Sequence, residues 1–270
     1  MLKLDNISKS FENGGGETVC ALNDVSLRCE RGSFVVIVGS NGSGKSTLLN
    51  LLAGSEMPDS GTMVLAGKDL LTLPEHRRAS LIGRVFQSPF QGTISEMTVM
   101  ENIAIASCRD QGFTLTRAVT RALREEIHER VAALGIGLED RLLQPMCTLS
   151  GGQRQALTML MATWRRPKLL LLDEHTAALD PRSADLILNL TGHIVAERRL
   201  TVLMVTHSME HAVLYGERLI MMHRGKIVYD IRDGEKRRAR PSELISRFEE
   251  LQRMDRIDES VVSLLRSQYH

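Results

Sequence analysis

The stretch that decides the fold is Gly39-Ser40-Asn41-Gly42-Ser43-Gly44-Lys45-Ser46, in the first fifth of a 270-residue chain. It fits the pattern of a glycine, four variable residues and Gly-Lys-Ser that marks a phosphate-binding loop. The apolar run 34–38 precedes it, and residues 47–53 follow with a helical pattern. This strand–loop–helix setting surrounds phosphates with backbone N–H groups and a helix N-terminus. The alternative is a glycine-rich turn before a helix, since the bare pattern arises by chance in roughly 1% of chains this long.

Each part of this loop has a predicted role in binding a nucleotide. Lys45 is expected to reach the terminal phosphates, and the Ser46 hydroxyl is expected to ligate Mg²⁺. The glycines allow the backbone N–H groups to turn inward. The predicted nucleotide-binding residues of the loop are Gly39, Ser40, Asn41, Gly42, Ser43, Gly44, Lys45, Ser46 and Thr47.

Composition limits the classes of protein that this chain can represent. The formal charge of +1 gives no argument for a nucleic-acid partner, and none is predicted. The four cysteines lack paired spacing, so we expect reduced, buried thiols. The longest apolar runs, 34–38 and 169–172, are too short to span a bilayer. With no signal peptide at the N-terminus, the chain is expected to be soluble by itself.

The apolar pattern changes character along the chain. Residues 2–5 and 25–30 alternate apolar and polar, which predicts half-buried strands, whereas 34–38, 169–172 and 201–205 are continuously apolar. Continuously apolar strands are typical of a parallel sheet that is covered on both faces. Residues 90–165 lack strand signals, contain a capping box at Thr98–Glu101 and show a helical stripe that ends at Gly135.

These patterns predict an α/β fold. It has a P-loop NTPase core with a mostly parallel sheet, an N-terminal antiparallel β subdomain and an α-helical subdomain inserted at roughly 90–165. We predict an ATPase domain over residues 1–230. Residues 231–270 form a charged, helical extension, in which the basic run 236–240 is expected to be a solvated face.

Two carboxylates follow the apolar strand 169–172, at the edge where open α/β sheets bind ligands. Hydrolysis of a bound nucleotide requires a metal anchor and a group that orients water. We therefore expect Asp173 to hold Mg²⁺ through water and Glu174 to polarise the attacking water. The alternative is that both residues merely cap the next helix.

Two further side chains follow strand-like stretches at the same edge. Gln87 comes after residues 82–86, and its amide could touch both the metal and the water. His207 follows the strand 201–205 and could hydrogen-bond the γ-phosphate while holding the water against Glu174. Of the eight histidines, only His207 is placed in this way. The alternative for Gln87 is a solvated polar group at a strand end.

A second candidate anion site lies at Leu149-Ser150-Gly151-Gly152-Gln153, which opens a predicted helix. Its free N–H groups and the Ser150 hydroxyl would suit an anion. The inserted subdomain carries this site away from the phosphate-binding loop. A second anion site without its own nucleotide suggests that it meets the nucleotide of a second copy.

Taken together, these motifs resemble the ATP-binding subunit of an ABC transporter over roughly residues 1–230, and the 149–153 signature is the most specific of them. The resemblance implies that two copies sandwich two ATP molecules head to tail. Ser150, Gly151, Gly152 and Gln153 would then contact the γ-phosphate held by the other copy. The loop 178–180, with Asp180, would couple the two sites, and Phe11 would stack on adenine.

The resemblance also implies partners. A separate transmembrane permease subunit would dock in a groove near Phe90 and Ile94, although both residues could equally be core of the insert. The protein would lie peripherally on the cytoplasmic side of the cell membrane. One departure from the family is His175, which stands where proline commonly follows the catalytic glutamate.

The sequence is compatible with three functions. The first is an importer ATPase for a small solute such as an amino acid, which implies a solute-binding protein as a further partner. The second is the ATPase of an exporter, a lipoprotein-release system or a mechanical membrane complex. The third is a soluble ATPase acting on DNA or ribosomes, but the chain shows no zinc motif, second cassette or long coiled insertion.

Overall fold

The computed structural model describes residues 1–12, 14, 16–108, 119–251 and 253. Its strands are β1 (Leu2–Glu12), β2 (Thr18–Cys29), β3 (Phe34–Gly39), β4 (Ser60–Leu65), β5 (Lys68–Asp69), β6 (Ile82–Val85), β7 (Leu169–Asp173), β8 (Val202–Val205), β9 (Arg218–His223) and β10 (Lys226–Arg232). Its helices are α1 (Lys45–Ala53), α2 (Glu75–Arg78), α3 (Val99–Ser107), α4 (Arg121–Ala132), α5 (Gly151–Thr163), α6 (Pro181–Arg198), α7 (Met209–Leu214) and α8 (Asp233–Arg238). Residues 241–251 are also helical.

The larger sheet has six strands in the order β10-β9-β3-β8-β7-β6. The neighbours from β9 to β6 are parallel, and β10 adds an antiparallel edge. The three continuously apolar runs occupy the middle as β3, β8 and β7, as the sequence predicts. Because these strands are parallel, their carboxyl ends meet at one edge of the sheet.

Both faces of this sheet are buried, and the side chains of each strand alternate between two cores. Val35 and Ile37 of β3 belong to the core on one face, together with Leu171 of β7. Val36 of β3 and Leu172 of β7 belong to the core on the other face. Successive side chains of a strand point to opposite faces of the sheet, and both faces are buried here. No position in these strands therefore suits a polar side chain, which explains the continuous apolar runs.

The second sheet is antiparallel, in the order β2-β1-β4-β5. Its inner side chains, such as Leu4 and Leu27, pack on the same core as one face of the large sheet. A third core lies in the helical segment 99–164 and includes Ile103, Ile127 and Leu157. The predicted fold class, with an antiparallel β part and a helical insert, is confirmed.

Two smaller expectations are wrong. Cys29 is buried, but Cys20 and Cys147 are exposed, so the thiols are not uniformly buried. The basic run of the tail is not all solvated, because Lys236 is buried and its Nζ donates to the carbonyl oxygens of Val213, Tyr215 and Gly216. These acceptors lie at the C-terminal end of α7, where carbonyl groups lack intrahelical partners.

Within the predicted C-terminal extension, residues 241–251 are helical. Leu244 is buried against the second core of the large sheet. Residues 252 and 254–270, which belong to the predicted extension, lie outside the described residues. Among the residues that the structure describes, no helix is both long and apolar enough to cross a bilayer.

Candidate functional site: a nucleotide-binding edge

The loop between β3 and α1 has the backbone shape that the glycine pattern requires. Gly42 and Gly44 have φ angles of +76° and +97°, in the left-handed region that favours glycine. At Gly44 a side chain is excluded as well, because a Cβ would come within 2.7 Å of Leu22 Cδ2. The helix then begins at Lys45, so its N-terminus opens directly onto the loop.

Lys45 is buried inside this loop, and its ammonium group is held by the loop itself. Its Nζ donates to the carbonyl oxygens of Gly39 and Ser40 at 2.9 and 2.8 Å, and it lies 3.4 Å from Ser43 Oγ. Burial lowers the pKa of Lys45, and the nearby carboxylates of Glu174 and Asp173 oppose this shift. The carboxylates of Glu174 and Asp173, which the sequence predicts at the same edge, are thus close enough to stabilise the positive charge of Lys45.

The other predicted residues follow the carboxyl ends of adjacent strands. β3 ends at Gly39, and its neighbour β8 ends two residues before His207. β7 ends at Asp173, which is in register with Val205 of β8. The outermost strand, β6, ends two residues before the exposed Gln87.

Asp173 has a partner that sequence analysis missed. Arg84 Nη2 lies 3.0 Å from Asp173 Oδ2, and the two side chains are only 16% and 14% exposed. The guanidinium group also stacks on Phe86, 4.7 Å from the ring centroid. A charged residue inside the otherwise apolar strand 82–85 is the signal that could have revealed this pair.

Glu174 and His207 contact each other. His207 Nε2 lies 2.5 Å from Glu174 Oε1, so this nitrogen carries the proton that the carboxylate accepts. Glu174 is 12% exposed at its side chain, and its φ of +47° is unusual for a residue other than glycine. Its backbone N–H donates to the carbonyl of Val205, the last residue of β8.

A buried amide lies behind these residues and was also missed. Gln155 of α5 is fully buried, and its Nε2 donates to the carbonyls of Phe86 and His175. His175, the departure from the family pattern, is buried too, and burial lowers its pKa to about 4. The signal in the sequence is a glutamine in an apolar helix stretch, two residues after the signature motif.

The signature residues start α5 with a reciprocal cap. Ser150 Oγ accepts from the Gln153 backbone N–H, and Gln153 Oε1 accepts from the Ser150 N–H. Gly152 packs against α6 so closely that a Cβ would lie 2.8 Å from Ser183 Oγ. Among the described residues, no hydrogen bond joins this motif to the phosphate-binding loop of the same chain.

Asp180 and Phe11 occupy two different parts of the molecule. Asp180 caps α6 by accepting from the Ser183 N–H, and its hydrogen bonds with Ser183 lower its pKa. Phe11 lies at the end of β1, 37% exposed, with Lys9 Nζ 5.2 Å from its ring centroid. The exposed ring leaves a π-face available for stacking.

The chemistry of the donor set fits magnesium. Ser46 is exposed on the first turn of α1. Asp173 carries a carboxylate, and its Oδ2 atom contacts the guanidinium group of Arg84. Both are oxygen donors, which Mg²⁺ prefers, and this ion usually binds through few protein ligands together with substrate phosphates. Ser46 and Asp173 would hold it, with Gln87 at the same edge.

Comparison with known proteins gives the family. The family model described as ABC transporter matches residues 22–177, more than half of the chain. The chain therefore belongs to the ABC transporter family. Within that family it is an ATP-binding and ATP-hydrolysing transport subunit, a class of subunit that acts as a dimer with transmembrane permease partners.

Three relatives indicate the range of systems that use such subunits. The chain is 41% identical over 249 residues to a tyrosine transport ATP-binding protein of Clostridioides difficile, covering 92% of this chain and 99% of that protein. It is 35% identical to a methionine import ATP-binding protein of Bacillus thuringiensis, covering 84% of this chain and 65% of the relative. It is 34% identical to a lipoprotein-releasing system ATP-binding protein of Caulobacter vibrioides, covering 86% and 97%.

A solved structure shows the same architecture. It is the dimeric post-hydrolysis state of an ATP-binding cassette bound to ADP and phosphate. The TM-score is 0.74 at 29% identity, over 86% of this chain and 98% of that chain. The P-loop NTPase fold predicted from the sequence is the fold of this relative.

Proposed function

We propose that this subunit powers uptake of a small solute such as an amino acid. The observation that carries the ATPase part is the edge of the large sheet, where Lys45, Asp173, Glu174 and His207 follow adjacent strands. Similarity to a tyrosine transport ATP-binding protein, at 41% identity over nearly the whole of both chains, supports an amino acid as the solute class. The runner-up is the ATPase of an exporter or lipoprotein-release system, which similarity to the Caulobacter protein favours.

In this proposal each residue at the carboxyl edge of the large sheet has its own role in binding or hydrolysing ATP. Lys45 and the loop N–H groups hold the phosphates of ATP, and Phe11 stacks on adenine. Ser46 and Asp173 would hold Mg²⁺, which would supply positive charge to offset that of the ATP phosphates. Glu174 accepts a hydrogen bond from the attacking water and orients it. Because His207 contacts the same carboxylate, it can keep that carboxylate and the γ-phosphate in line.

The signature motif supports a head-to-tail dimer with a second copy. Ser150 is exposed and Gln153 is partly exposed at the start of α5, where backbone N–H groups favour an anion. A γ-phosphate held by the other copy would therefore complete the site, and Asp180 would lie near the junction. ATP then joins two faces, and hydrolysis allows them to separate.

An apolar surface on the helical insert supports a permease partner. We call Phe90, Ile94 and Met97 the apolar patch; they are 63%, 44% and 36% exposed. Asn102 fixes the segment that carries it by donating to the Ile94 and Met97 carbonyls. The alternative that Phe90 and Ile94 are core of the insert is wrong. Exposed apolar side chains on one short segment suit contact with a helix of a membrane subunit on the cytoplasmic side of the membrane.

The experiment that tests this function is purification of Glu174→Gln from its native membranes in the presence of ATP. We expect the variant to bind ATP, form a stable dimer and lose at least 100-fold in ATP hydrolysis, because the amide cannot accept a proton from water. Recovery of a polytopic permease together with a solute-binding protein would support uptake.

Other outcomes of this purification have distinct meanings. A permease with a large extracytoplasmic part and no solute-binding protein would favour export or lipoprotein release instead. Undiminished ATP turnover by the variant would remove Glu174 from its proposed role. Wild-type protein purified in parallel serves as the control for partners that require the ATP-bound dimer.

A further inference from the structure

One buried amide group connects three segments of the nucleotide site. Gln155 Nε2 donates to the carbonyl of Phe86 at 3.0 Å and to the carbonyl of His175 at 2.7 Å. Carbonyl oxygens only accept hydrogen bonds, so the atom that faces both must be the amide nitrogen. The side chain is fully buried, and water therefore cannot replace it as a donor.

The two acceptors are placed beside the proposed catalytic residues. Phe86 directly precedes Gln87, and His175 directly follows Glu174. Gln155 itself lies on α5, two residues after Gln153 of the signature motif. A single NH₂ group thus fixes the distance between the helix of the signature motif and the backbones that carry Gln87 and Glu174.

His175 is anchored a second time through its ring. His175 Nε2 lies 3.2 Å from Thr191 Oγ1 on α6. The Thr191 hydroxyl donates its one proton to the Ile187 carbonyl at 2.7 Å, so it accepts from the histidine. The ring is therefore the tautomer with a proton on Nε2, and it ties the backbone after Glu174 to α6.

These hydrogen bonds help to hold the unusual backbone conformation of Glu174. A φ of +47° is disfavoured for a glutamate and persists only where its neighbours fix it. Proline, common in the family at the next position, would restrict the backbone by its ring. His175 instead restricts it through hydrogen bonds to two helices.

We propose that Gln155, His175 and Thr191, which we call the clamp, position Glu174 and Gln87 for hydrolysis. Gln155 is then a positioning residue through which α5, the helix of the signature motif, controls the orientation of the catalytic carboxylate. This inference rests on the proposed role of Glu174. In the described hydrogen bonds the clamp touches none of the loop residues 39–47, so we expect its loss to change hydrolysis and leave ATP affinity unaltered.

The test compares Gln155→Leu with Thr158→Val in steady-state ATP hydrolysis. Thr158 is a matched control because it is buried on the same helix and its hydroxyl donates only to the Arg154 carbonyl of that helix. We expect Gln155→Leu to lower kcat at least tenfold with KM and ATP-analogue affinity within twofold of wild type. Thr158→Val should retain wild-type kcat. Thermal unfolding of both variants reports any loss of folding.

A second set of variants tests the ring and does not depend on Gln155→Leu folding. His175→Leu should lower kcat, whereas His175→Gln should restore most of it because Gln Nε2 reaches the position of the histidine Nε2. Thr191→Val should lower kcat on its own and add nothing to His175→Leu, since both remove one hydrogen bond.

Three results would overturn the clamp. They are equal kcat in Gln155→Leu and Thr158→Val, a change confined to KM, and failure of His175→Gln to exceed His175→Leu. Glu174→Gln, measured alongside, separates the two proposals. If that variant hydrolyses ATP at the wild-type rate, the role of Glu174 fails, and any effect of Gln155 must have another origin.

Discussion

At the scale of single residues, Lys45 shows how the phosphate-binding loop is held in shape. The ammonium group donates to two loop carbonyls, and Ser43 Oγ lies nearby, so the loop is closed around its own cation. An ammonium group has three N–H donors, and a negatively charged phosphate oxygen is a stronger acceptor for them than a neutral carbonyl.

Lys45→Ala should therefore abolish measurable ATP binding. The substitution removes the buried cation, leaves the Gly39 and Ser40 carbonyls without that donor and lowers ATP affinity at least 100-fold, or about 3 kcal/mol. Isothermal titration with ATP measures the effect. Lys68→Ala, at an exposed lysine in β5, is the control and should bind as wild type does. Retained micromolar affinity in Lys45→Ala would contradict the site.

At the scale of elements, two helices begin with the same device. α3 is capped by Thr98, whose hydroxyl accepts from the Glu101 N–H while Glu101 Oε2 accepts from the Thr98 N–H. These hydrogen bonds lower the pKa of Glu101, the backbone N–H of Thr98 being the larger cause. Ser150 and Gln153 repeat the arrangement on α5. The signature motif is therefore a helix cap as well as a candidate phosphate site.

Thr98→Ala should lower the free energy of unfolding by about 1 kcal/mol, because the N-terminus of α3 loses its hydroxyl acceptor. The unfolding midpoint should fall by about 2–4 °C. Thr98→Ser keeps the hydroxyl and is the matched control. Thermal unfolding followed by circular dichroism compares the two, and equal losses would show that the cap is not the cause.

The elements also show what a sequence can predict. Residues 34–38 and 169–172 could be recognised as central strands because burial on both faces leaves only apolar side chains. Thr98–Glu101 could be recognised because a cap is a local pattern. The partners of Arg84 and Gln155 could not, since Asp173 and the Phe86 carbonyl are distant in sequence and only the fold brings them together.

At the scale of the whole molecule, the three apolar cores lie in different parts of the fold. Two lie on the faces of the large sheet and hold the nucleotide edge, and the third lies within the helical segment. The segment that carries the apolar patch is hydrogen-bonded to Asn102 of α3, within the helical segment of the third core. Helix α5 contributes Met159 to the second core and Leu157 to the third, so it packs against both the large sheet and the helical segment.

Phe90→Ser should weaken binding to the permease by about 1–2 kcal/mol, or roughly five- to thirtyfold, because an exposed ring would no longer be buried on assembly. Titration of the detergent-solubilised permease with labelled subunit measures this affinity. Leu214→Ser is the control, since Leu214 is 73% exposed on α7, outside the apolar patch. Equal affinity of the two variants would place the contact elsewhere.

The apolar patch has a consequence for the cell that makes this protein. A subunit without its membrane partner leaves Phe90 and Ile94 in water, where such surfaces promote aggregation and recognition by chaperones and proteases. If the permease covers this patch as proposed, copies synthesised in excess of the permease would be the ones that are removed. The abundance of the subunit would then follow the supply of its partner, and stoichiometry would be set after translation by a few uncovered side chains.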